Sequence, residues 1–362
     1  MVSCFDQTYG NASSIHHFGQ AAKQRLEAAR RQVAALLHAR PTEVVFTGGG
    51  TEADNMAVLG VARMRTGARH VITTAIEHPA VLAACAQLER EGVEITRVAV
   101  GASGIVDPEA IRRALRPETV LVSVMHANNE LGTVQPIVEI AAIAREAGVP
   151  LHSDGVQALG KIPVDVDALG VDLYSVSGHK LYAPKGVGAL FVRKGTRLEP
   201  LTFGGHHERD RRPGTENVPG IAGFGAAAEL AERNLAAETC NLADLRDRLE
   251  NTILERIPGT GVNGARAPRT PNTTNIYFDG IDGEAMVIAL DLRGFAVSTG
   301  SACSSGAVTP SHVLTGIGLS ADRARSSIRF SLGRSNTAEQ VDALVAALQA
   351  SVAHLRRISV HA

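Results

Sequence analysis

The feature that most constrains the fold is a regular alternation of short, β-branched apolar runs with longer helical stretches. The first helical stretch, 19–38, places Ala22, Leu26, Ala29 and Val33 at steps of three and four, which is typical of an amphipathic helix. Alternation of this kind predicts βαβ units, and hence an α/β fold with a mostly parallel sheet covered on both faces by helices. The predicted strands are 43–46, 70–74, 94–98, 120–125, 149–153, 172–176 and 188–192.

Beyond this sheet the sequence predicts a smaller α+β domain. A helical stretch at 219–256, with a candidate break near Ala237, leads out of the sheet. It is followed by predicted strands at 274–278, 295–298 and 326–331 and predicted helices at 283–292 and 338–356. A length of 362 residues also favours two domains. We therefore predict a large domain at 1–236 and a small C-terminal domain at 237–362.

Composition excludes several classes of protein. Lys and Arg number 36 against 37 Asp and Glu, and this net charge of −1 gives no electrostatic reason to expect nucleic acid or an anionic membrane as partner. The chain has no apolar run long enough to span a bilayer, and its first ten residues lack the basic and apolar regions of a secretory signal. The sequence therefore predicts a cytoplasmic protein.

Two side chains at predicted strand ends point to a carbonyl cofactor. Lys180, in SGHK (177–180), is well placed to form a Schiff base, although a lysine taken alone is more often a surface residue. Asp154 ends another strand, at the edge where open α/β sheets place ligands. Pyridoxal 5′-phosphate (PLP) needs a carboxylate beside its pyridine nitrogen. A helix N-cap explains the position of Asp154 equally well.

The segment TGGGTE (47–52) is a candidate phosphate cradle. Its glycines let backbone amides approach a phosphate at a helix N-terminus. Gly48, Gly50 and Ala53 also satisfy the dinucleotide fingerprint G-x-G-x-x-A, and Glu77 lies near the end of the next strand, as the acidic partner of that fingerprint would. Both interpretations stay open at this stage.

His78, in EHP (77–79), stands at the same predicted edge. Its imidazole could stack on a flat cofactor and move protons, while a helix-capping or solvent-facing histidine fits the position as well. The other histidines considered have no metal-ligand spacing with any cysteine, so no metal site is predicted. They are His126 and the pairs His16-His17 and His206-His207.

Cys303 is the candidate nucleophile. The four cysteines, at 4, 85, 240 and 303, are far apart and form no C-x-x-C pair, which argues against a zinc site or a disulfide framework. Cys303 lies in the small-residue segment STGSACSSG (298–306), which predicts an exposed loop where a reactive thiol has to be. Arg329 and Arg334 are candidate carboxylate ligands, with a surface ion pair as the alternative.

Eight segments, in order, carry one resemblance: TGGGTEADN (47–55), EHPAV (77–81), HANNELG (126–132), HSDGVQ (152–157), SVSGHKLYAPKGVGAL (175–190), GGHHERDRRPGTENV (204–218), STGSACSSG (298–306) and SSIRFSLGR (326–334). They closely resemble the cysteine desulfurases of the class V aminotransferase family. The likeness runs from about Gly10 to the C-terminal helix. It implies the fold-type I architecture of PLP-dependent transferases, with a seven-stranded sheet in the large domain. Family members usually begin with a strand and an Ala-Thr-Thr-Pro-type segment, which this sequence lacks before Tyr9.

The resemblance implies roles for the site residues. Lys180 would hold PLP covalently, Asp154 and Gln157 would contact its ring, and His78 would stack on the ring and shuttle protons. The phosphate would be bound by Gly50, Thr51, Ser177 and His179. Thr215 would reach the phosphate in the partner subunit, which implies a homodimer with shared active sites. Asn129 and Arg329 would hold the substrate carboxylate.

The implied reaction takes sulfur from L-cysteine and leaves alanine. Lys180 would remove the α-proton while the protonated ring accepts the electrons. Cys303 would attack the substrate sulfur and become a persulfide, then pass sulfur to an acceptor protein, an iron–sulfur scaffold or another carrier.

Two other classes of protein compete with this interpretation. A selenocysteine lyase or an aminotransferase of the same family would share the cofactor residues, but transamination has no need of the thiol at Cys303. A non-catalytic or dinucleotide-binding α/β protein would need none of Lys180, Asp154 and His78 at its strand ends.

Overall fold

The computed structural model describes residues 1–299 and 310–359, which divide into two compact units. The first unit consists of Met1–Val98, Asp107–Ala127 and Gln135–Leu235. The second begins at Ala236 and also includes two earlier segments, Ala99–Val106 and Asn128–Val134. Asn129 therefore belongs to the second unit, although it lies inside the span 1–236 that the sequence assigns to the large domain.

Helices and strands alternate through the first unit. In chain order they are α1 (Val2–Asp6), α2 (His17–Leu36), β1 (Val44–Thr47), α3 (Gly50–Arg63), β2 (His70–Thr74), α4 (Pro79–Arg90), β3 (Glu94–Val98), α5 (Pro108–Ala114), β4 (Thr119–Ser123), α6 (Ile137–Glu146), β5 (Leu151–Asp154), α7 (Val166–Leu169), β6 (Leu173–Ser177) and β7 (Gly188–Val192). Each of these strands lies within two residues of its predicted position.

The strands form one seven-stranded sheet in the order β1-β7-β6-β5-β4-β2-β3. Strand β7 is antiparallel to both of its neighbours, and the other pairs are parallel. The prediction of a mostly parallel sheet is confirmed. Because β1 pairs antiparallel with β7, it runs in the same direction as β6. The carboxyl ends of β1, β2, β4, β5 and β6 therefore share one edge of the sheet.

The inner strands β4, β5 and β6 and the edge strand β1 are buried along their whole length, as expected for a sheet with helices on both faces. Helix α3 contributes Met56 and Val58 to a core that includes Leu121, Leu173 and Leu190 from the strands. The predicted stripe of α2 is also buried. By contrast, the outer strand β3 keeps polar and partly exposed residues, as an edge strand does.

The second unit is built on a four-stranded sheet, with the strand order β10-β11-β9-β8 and all pairs antiparallel. Its elements are the C-terminal part of α8 (Val218–Arg256), β8 (Thr260–Val262), β9 (Thr273–Phe278), α9 (Gly283–Asp291), β10 (Ser298–Thr299), α10 (His312–Gly316), α11 (Ala321–Arg325), β11 (Ser327–Ser331) and α12 (Ala338–Ser359). Leu249 and Ile253 of α8 and Leu348 of α12 share a core with Phe278 and Phe330 of the sheet.

The structure corrects two predictions for this unit and adds one strand that the sequence did not predict. Helix α8 is continuous over 39 residues, so the break near Ala237 is wrong. Between Gly225 and Pro258 the sequence has neither Gly nor Pro and is rich in alanine and leucine, which favours an uninterrupted helix. Strand β8 was not predicted, because three residues are too short to show a period. The predicted strand 295–298 is displaced, since among the residues described up to 299 the pairing with β11 begins at Ser298 and includes Thr299.

Candidate active site

The predicted cofactor residues of the first unit follow strands that end at the same edge of the sheet. Asp154 is the last residue of β5, and Ser177 is the last residue of β6. Thr47 ends β1 just before the glycines, and His78 follows β2. This convergence follows from the strand order and direction, because parallel strands bring their carboxyl ends together.

Asp154 is a buried carboxylate with a cation nearby. Its Oδ1 accepts a hydrogen bond from Val156 N at 2.9 Å. Burial raises the pKa of Asp154 to about 6, while the Val156 hydrogen bond and the positive charge of Lys180 act to lower it. A second positive charge beside this carboxylate would favour its ionised form further. Asp154 therefore suits a protonated pyridine nitrogen as its partner.

Lys180 lies on a short 3-10 helix, Gly178–Leu181, directly after β6. Its charge affects the two basic side chains around it. Burial, followed by the charge of Lys180, lowers the pKa of Lys161 to about 8. The same two causes, in the same order, lower the pKa of His179. Lys161 Nζ also donates a hydrogen bond to the Lys180 carbonyl at 3.4 Å. Lys180 thus lies in a compact basic group next to the Asp154 carboxylate.

The glycine segment forms a cavity of about 790 Å³ with the residues after β6. Gly50 is required by close packing, because an added Cβ would lie 2.8 Å from Val156 Cγ2 and 3.3 Å from Ser177 Cβ. Ser177 Oγ and His179 Nδ1 are hydrogen-bonded at 2.9 Å. The cavity is lined by Gly48, Gly49, Gly50, Thr51, Glu52, Asn55, Ser177, His179, Lys185, Gly186 and Leu201. It therefore brings together the four residues predicted to bind the phosphate, and its donors and glycines fit an anion.

Glu77 does not fit the dinucleotide interpretation. Its carboxylate is fully buried and accepts hydrogen bonds from Thr74 Oγ1 at 2.6 Å and Met125 N at 3.0 Å. Burial raises its pKa to about 8. A ribose hydroxyl needs an accessible, ionised carboxylate, so Glu77 is a structural residue of this edge.

His78 is the N-cap of α4 and is half-buried. Its Nδ1 accepts a hydrogen bond from Ala80 N at 3.1 Å, so the neutral ring carries its proton on Nε2. Capping fixes the plane of the ring at the same edge as Asp154. The capping alternative is thus realised, and it is compatible with a ring that also stacks on a flat group.

Gln157 and Thr215 have different surroundings. Gln157 lies half-buried in the turn that follows Asp154. Thr215 is exposed, in the loop between a 3-10 helix, Glu208–Asp210, and α8. The first position suits contact with a group bound at Asp154. The second leaves the Thr215 side chain facing outward from this chain.

The loop before Thr215 contains a turn that sequence reasoning missed. Glu208, Arg209 and Asp210 all have left-handed backbone conformations, with φ of 46°, 57° and 64°. Such a conformation costs about 1–2 kcal/mol for each non-glycine residue, so the surrounding contacts must hold it. The buried Glu208 carboxylate provides such a contact, by accepting hydrogen bonds from Arg30 and from Phe46 N.

The arginines at 209, 211 and 212 do not form a simple solvated face. Arg209 is exposed, but Arg211 is half-buried, and burial lowers its pKa. Arg212 forms an ion pair with Glu52, with Nε 2.8 Å from Oε1. The sequence offers no local sign of this pair, because its members are 160 positions apart.

A second missed feature is a buried polar chain under the sheet edge. His152 of β5 bonds Ser123 Oγ through Nδ1 at 2.8 Å and Ser175 Oγ through Nε2 at 2.9 Å. Asp54 of α3 lies 3.6 Å from the same Nε2. Burial lowers the pKa of His152 to about 3 and raises that of Asp54 well above its usual value. Burial therefore disfavours the charged forms of both His152 and Asp54.

In the second unit, Arg329 of β11 donates a hydrogen bond from Nη1 to the Asn129 carbonyl at 3.1 Å. Its Nε is buried and has no acceptor among the residues that the structure describes. Arg334 is exposed. Arg329 is half-buried, and a buried guanidinium nitrogen without an acceptor fits a carboxylate ligand, so the structure favours Arg329 over Arg334. Burial also raises the pKa of the neighbouring Glu130 to about 7, against the effects of a Ser311 hydrogen bond and the Arg329 charge.

Cys303 lies outside the described residues, 1–299 and 310–359. The other cysteines are within them. Cys4 and Cys85 are buried, and burial raises the pKa of Cys85 to about 12, which suits a core residue and not a nucleophile. Cys240 is exposed on α8.

Within the described part of the chain, no cluster of three or more His, Cys, Asp or Glu side chains is arranged to bind a metal ion. The same part of the chain also has no helix of the length and apolar character needed to cross a bilayer.

Comparison with known proteins agrees with this fold. Residues 1–344 match the family described as Aminotransferase class-V. The cysteine desulfurase IscS of Dictyoglomus turgidum is 48% identical over 354 residues, which are 98% of this chain and 90% of that protein. A solved NifS-like protein superposes with a TM-score of 0.91 at 35% identity, over 98% of this chain and 94% of that one. A solved complex of SspA with cysteine has a TM-score of 0.82 at 37% identity, over 91% and 92% of the two chains.

The seven-stranded, mostly parallel sheet and the family match over residues 1–344 together define an enzyme of the class V aminotransferase type. The chain belongs to this family, among its cysteine desulfurases.

Proposed function

We propose that the chain removes sulfur from L-cysteine with PLP as cofactor, giving L-alanine and a persulfide on Cys303. The observation that carries the proposal is the buried Asp154 carboxylate with the positive charge of Lys180 nearby. Burial raises the pKa of Asp154, and the charge of Lys180 partly offsets this rise. A carboxylate for a ring nitrogen and an amine for an aldehyde are the two groups that PLP requires. The cysteine bound in the similar SspA structure supports L-cysteine as the substrate.

The residues at the sheet edge fit the cofactor. Lys180 would hold PLP covalently, while Asp154 and Gln157 contact the ring and His78 stacks on it. Gly50, Thr51, Ser177 and His179 would bind the phosphate in the cavity that they line. When bound, PLP supplies a protonated ring that withdraws the electrons released at the substrate α-carbon.

The substrate carboxylate would be held by Asn129 and Arg329. The buried, unsatisfied Nε of Arg329 supports this role, because a carboxylate would complete its hydrogen bonding. Lys180 Nζ, once released from the cofactor, would take the α-proton as a general base. His78 Nε2 would move protons on the same side, since Nδ1 is engaged by the helix cap.

Sulfur transfer would then be a displacement at sulfur. The Cys303 thiolate attacks the substrate sulfur, an S–S bond forms while the substrate carbon–sulfur bond breaks, and a proton replaces sulfur on that carbon to give alanine. The persulfide would pass its outer sulfur to an acceptor protein, either an iron–sulfur scaffold or another carrier.

The same proposal includes the assembly and its place in the cell. The exposed Thr215 supports a homodimer in which this residue completes the phosphate site of the partner subunit. We place the enzyme in the cytoplasm, and its near-neutral net charge of −1 supports the absence of nucleic acid and membrane partners.

Incubation of the protein with PLP, L-cysteine and a reductant tests the function, with alanine and sulfide as the measured products. We expect both products in equal amounts from the wild type. Cys303→Ala should keep PLP and lose sulfide release, whereas Cys240→Ala, which removes the exposed thiol of α8, should release sulfide normally. Borohydride should fix PLP to Lys180, as read by mass spectrometry. A wild-type protein that binds no PLP would contradict the proposal.

A further inference from the structure

A carboxylate lies in the cavity that would receive the cofactor phosphate. Glu52 lines this cavity together with residues 48–50, Ser177 and His179. Its Oε2 accepts a hydrogen bond from Gly48 N at 2.6 Å. Glu52 therefore holds the glycine segment in place, but it also puts a negative charge where an anion is expected. An uncompensated carboxylate at this point would repel a phosphate dianion.

Arg212 compensates this charge. Its Nε donates a hydrogen bond to Glu52 Oε1 at 2.8 Å, so both oxygens of Glu52 are engaged. The two side chains remain 30% and 33% exposed. An ion pair this exposed contributes little to stability. We therefore expect the ion pair to affect the net charge of the cavity and not the stability of the fold.

The position of Arg212 is fixed by the turn that precedes it. Glu208 begins that turn and is anchored to Arg30 and Phe46 N through its buried carboxylate. Phe46 belongs to β1, the strand that leads into the glycines. The anchor therefore ties the arginine segment and the cradle to the same strand, and it holds Arg212 within reach of Glu52.

We propose that Arg212 is a positioning residue for the cofactor phosphate, which acts by neutralising Glu52. Glu52 can then shape the cradle through Gly48 without repelling the phosphate. The inference rests on the proposed function, because it takes the phosphate of PLP as the occupant of the cavity. It assigns a role to an ion pair that neither touches the cofactor ring nor takes part in sulfur transfer.

The test is the dissociation constant of PLP, measured by titrating the apoprotein and following the cofactor absorbance. Arg212→Ala exposes the Glu52 charge and should weaken PLP binding roughly tenfold, an effect of about 1.4 kcal/mol. Glu52→Gln keeps an acceptor for Gly48 N without the charge and should bind PLP at least as tightly as the wild type. The double variant E52Q/R212A should therefore recover most of the affinity lost in R212A.

Binding of pyridoxal, which lacks the phosphate, shows whether R212A acts through charge repulsion of the phosphate or through general damage to the site. We expect R212A to change its affinity less than about twofold, since the uncovered carboxylate has no phosphate to repel. Arg97→Ala is a matched control, because Arg97 pairs with Glu89 at similar exposure on the outer strand β3. This variant should bind both ligands as the wild type does.

The outcomes distinguish this inference from the function on which it rests. A wild type that binds no PLP overturns both. If the wild type binds PLP and R212A binds it equally well, only the role of Arg212 is overturned. The same holds if R212A loses pyridoxal and PLP alike, or if Glu52→Gln fails to restore binding in the double variant.

Discussion

Arg30 and Glu208 form a buried ion pair between helix α2 and the left-handed turn before Thr215. The guanidinium donates two hydrogen bonds of 2.7 Å, one to each carboxylate oxygen. Arg30 also donates to the Val44 carbonyl at 2.8 Å, so the pair is anchored on β1. Both side chains are almost completely buried.

Breaking this pair should destabilise the chain strongly. Arg30→Met leaves the Glu208 carboxylate buried without its cation, which costs about 3–5 kcal/mol. We expect a loss of that size in the free energy of unfolding, measured with urea on the apoprotein. Arg97→Ala, which breaks a pair on the surface, should cost no more than about 1 kcal/mol. Equal losses in the two variants would contradict the prediction.

Asp154→Asn should separate cofactor binding from catalysis. The amide oxygen can still accept the hydrogen bond from Val156 N, so the fold and the covalent attachment of PLP to Lys180 should persist. The charge that keeps the ring protonated is lost, and we expect desulfuration to fall by roughly 10²–10⁴-fold. Sulfide release and borohydride trapping measure the two effects.

Asp165→Asn is the matched control for that change, because Asp165 caps the distant helix α7 through the same kind of hydrogen bond. It should leave turnover unchanged. Full activity in Asp154→Asn would show that its carboxylate only accepts the hydrogen bond from Val156 N in the turn after β5.

Arg329→Lys should affect substrate affinity more than turnover. Lysine keeps the positive charge but loses the planar fork, and a charge-assisted hydrogen bond is worth about 1.5–3 kcal/mol. We expect KM for L-cysteine to rise roughly 10–100-fold with a smaller change in kcat. Arg334→Lys should match the wild type in steady-state assays, and a larger effect there would reverse the assignment of the two arginines.

Glu130 should make stability fall with rising pH. Burial raises its pKa from 4.5 to about 7, although the Ser311 hydrogen bond and the charge of Arg329 oppose the shift. The folded chain therefore holds this proton more tightly than the unfolded chain does. The contribution of this proton to the free energy of unfolding is fully present below about pH 4.5 and is lost as the pH rises through 7.

Glu130→Gln removes this dependence while keeping an acceptor for Ser311 Oγ, which donates to Oε2 at 2.6 Å in the wild type. Relative to the variant, the wild type should lose up to about 3 kcal/mol of unfolding free energy between pH 4.5 and 7.5. Urea titrations across this range measure the difference. Glu139→Gln, on an exposed face of α6, should run parallel to the wild type, and parallel curves for Glu130→Gln would disprove the prediction.

The sequence by itself determined the elements and the sheet edge of the site. Hydrophobic period and β-branched runs located the seven strands, because those signals are local and every strand of this sheet except the edge strand β3 is buried along its length. The positions of Lys180, Asp154 and His78 at or shortly after the ends of strands then predicted that they share one edge, since parallel strands align their ends. Local chemistry also indicated the helix cap at His78.

Only the tertiary structure decided how distant charges pair. Glu52 and Arg212 are 160 positions apart, and Arg30 and Glu208 are 178 apart. No periodic pattern links such positions, because helix and strand periods act over a few residues. These contacts depend instead on the placement of β1 next to β7 and on the left-handed turn at Glu208. Burial, which shifts the pKa of Glu77, Asp154 and Glu130, is likewise a property of the packed chain and not of any segment alone.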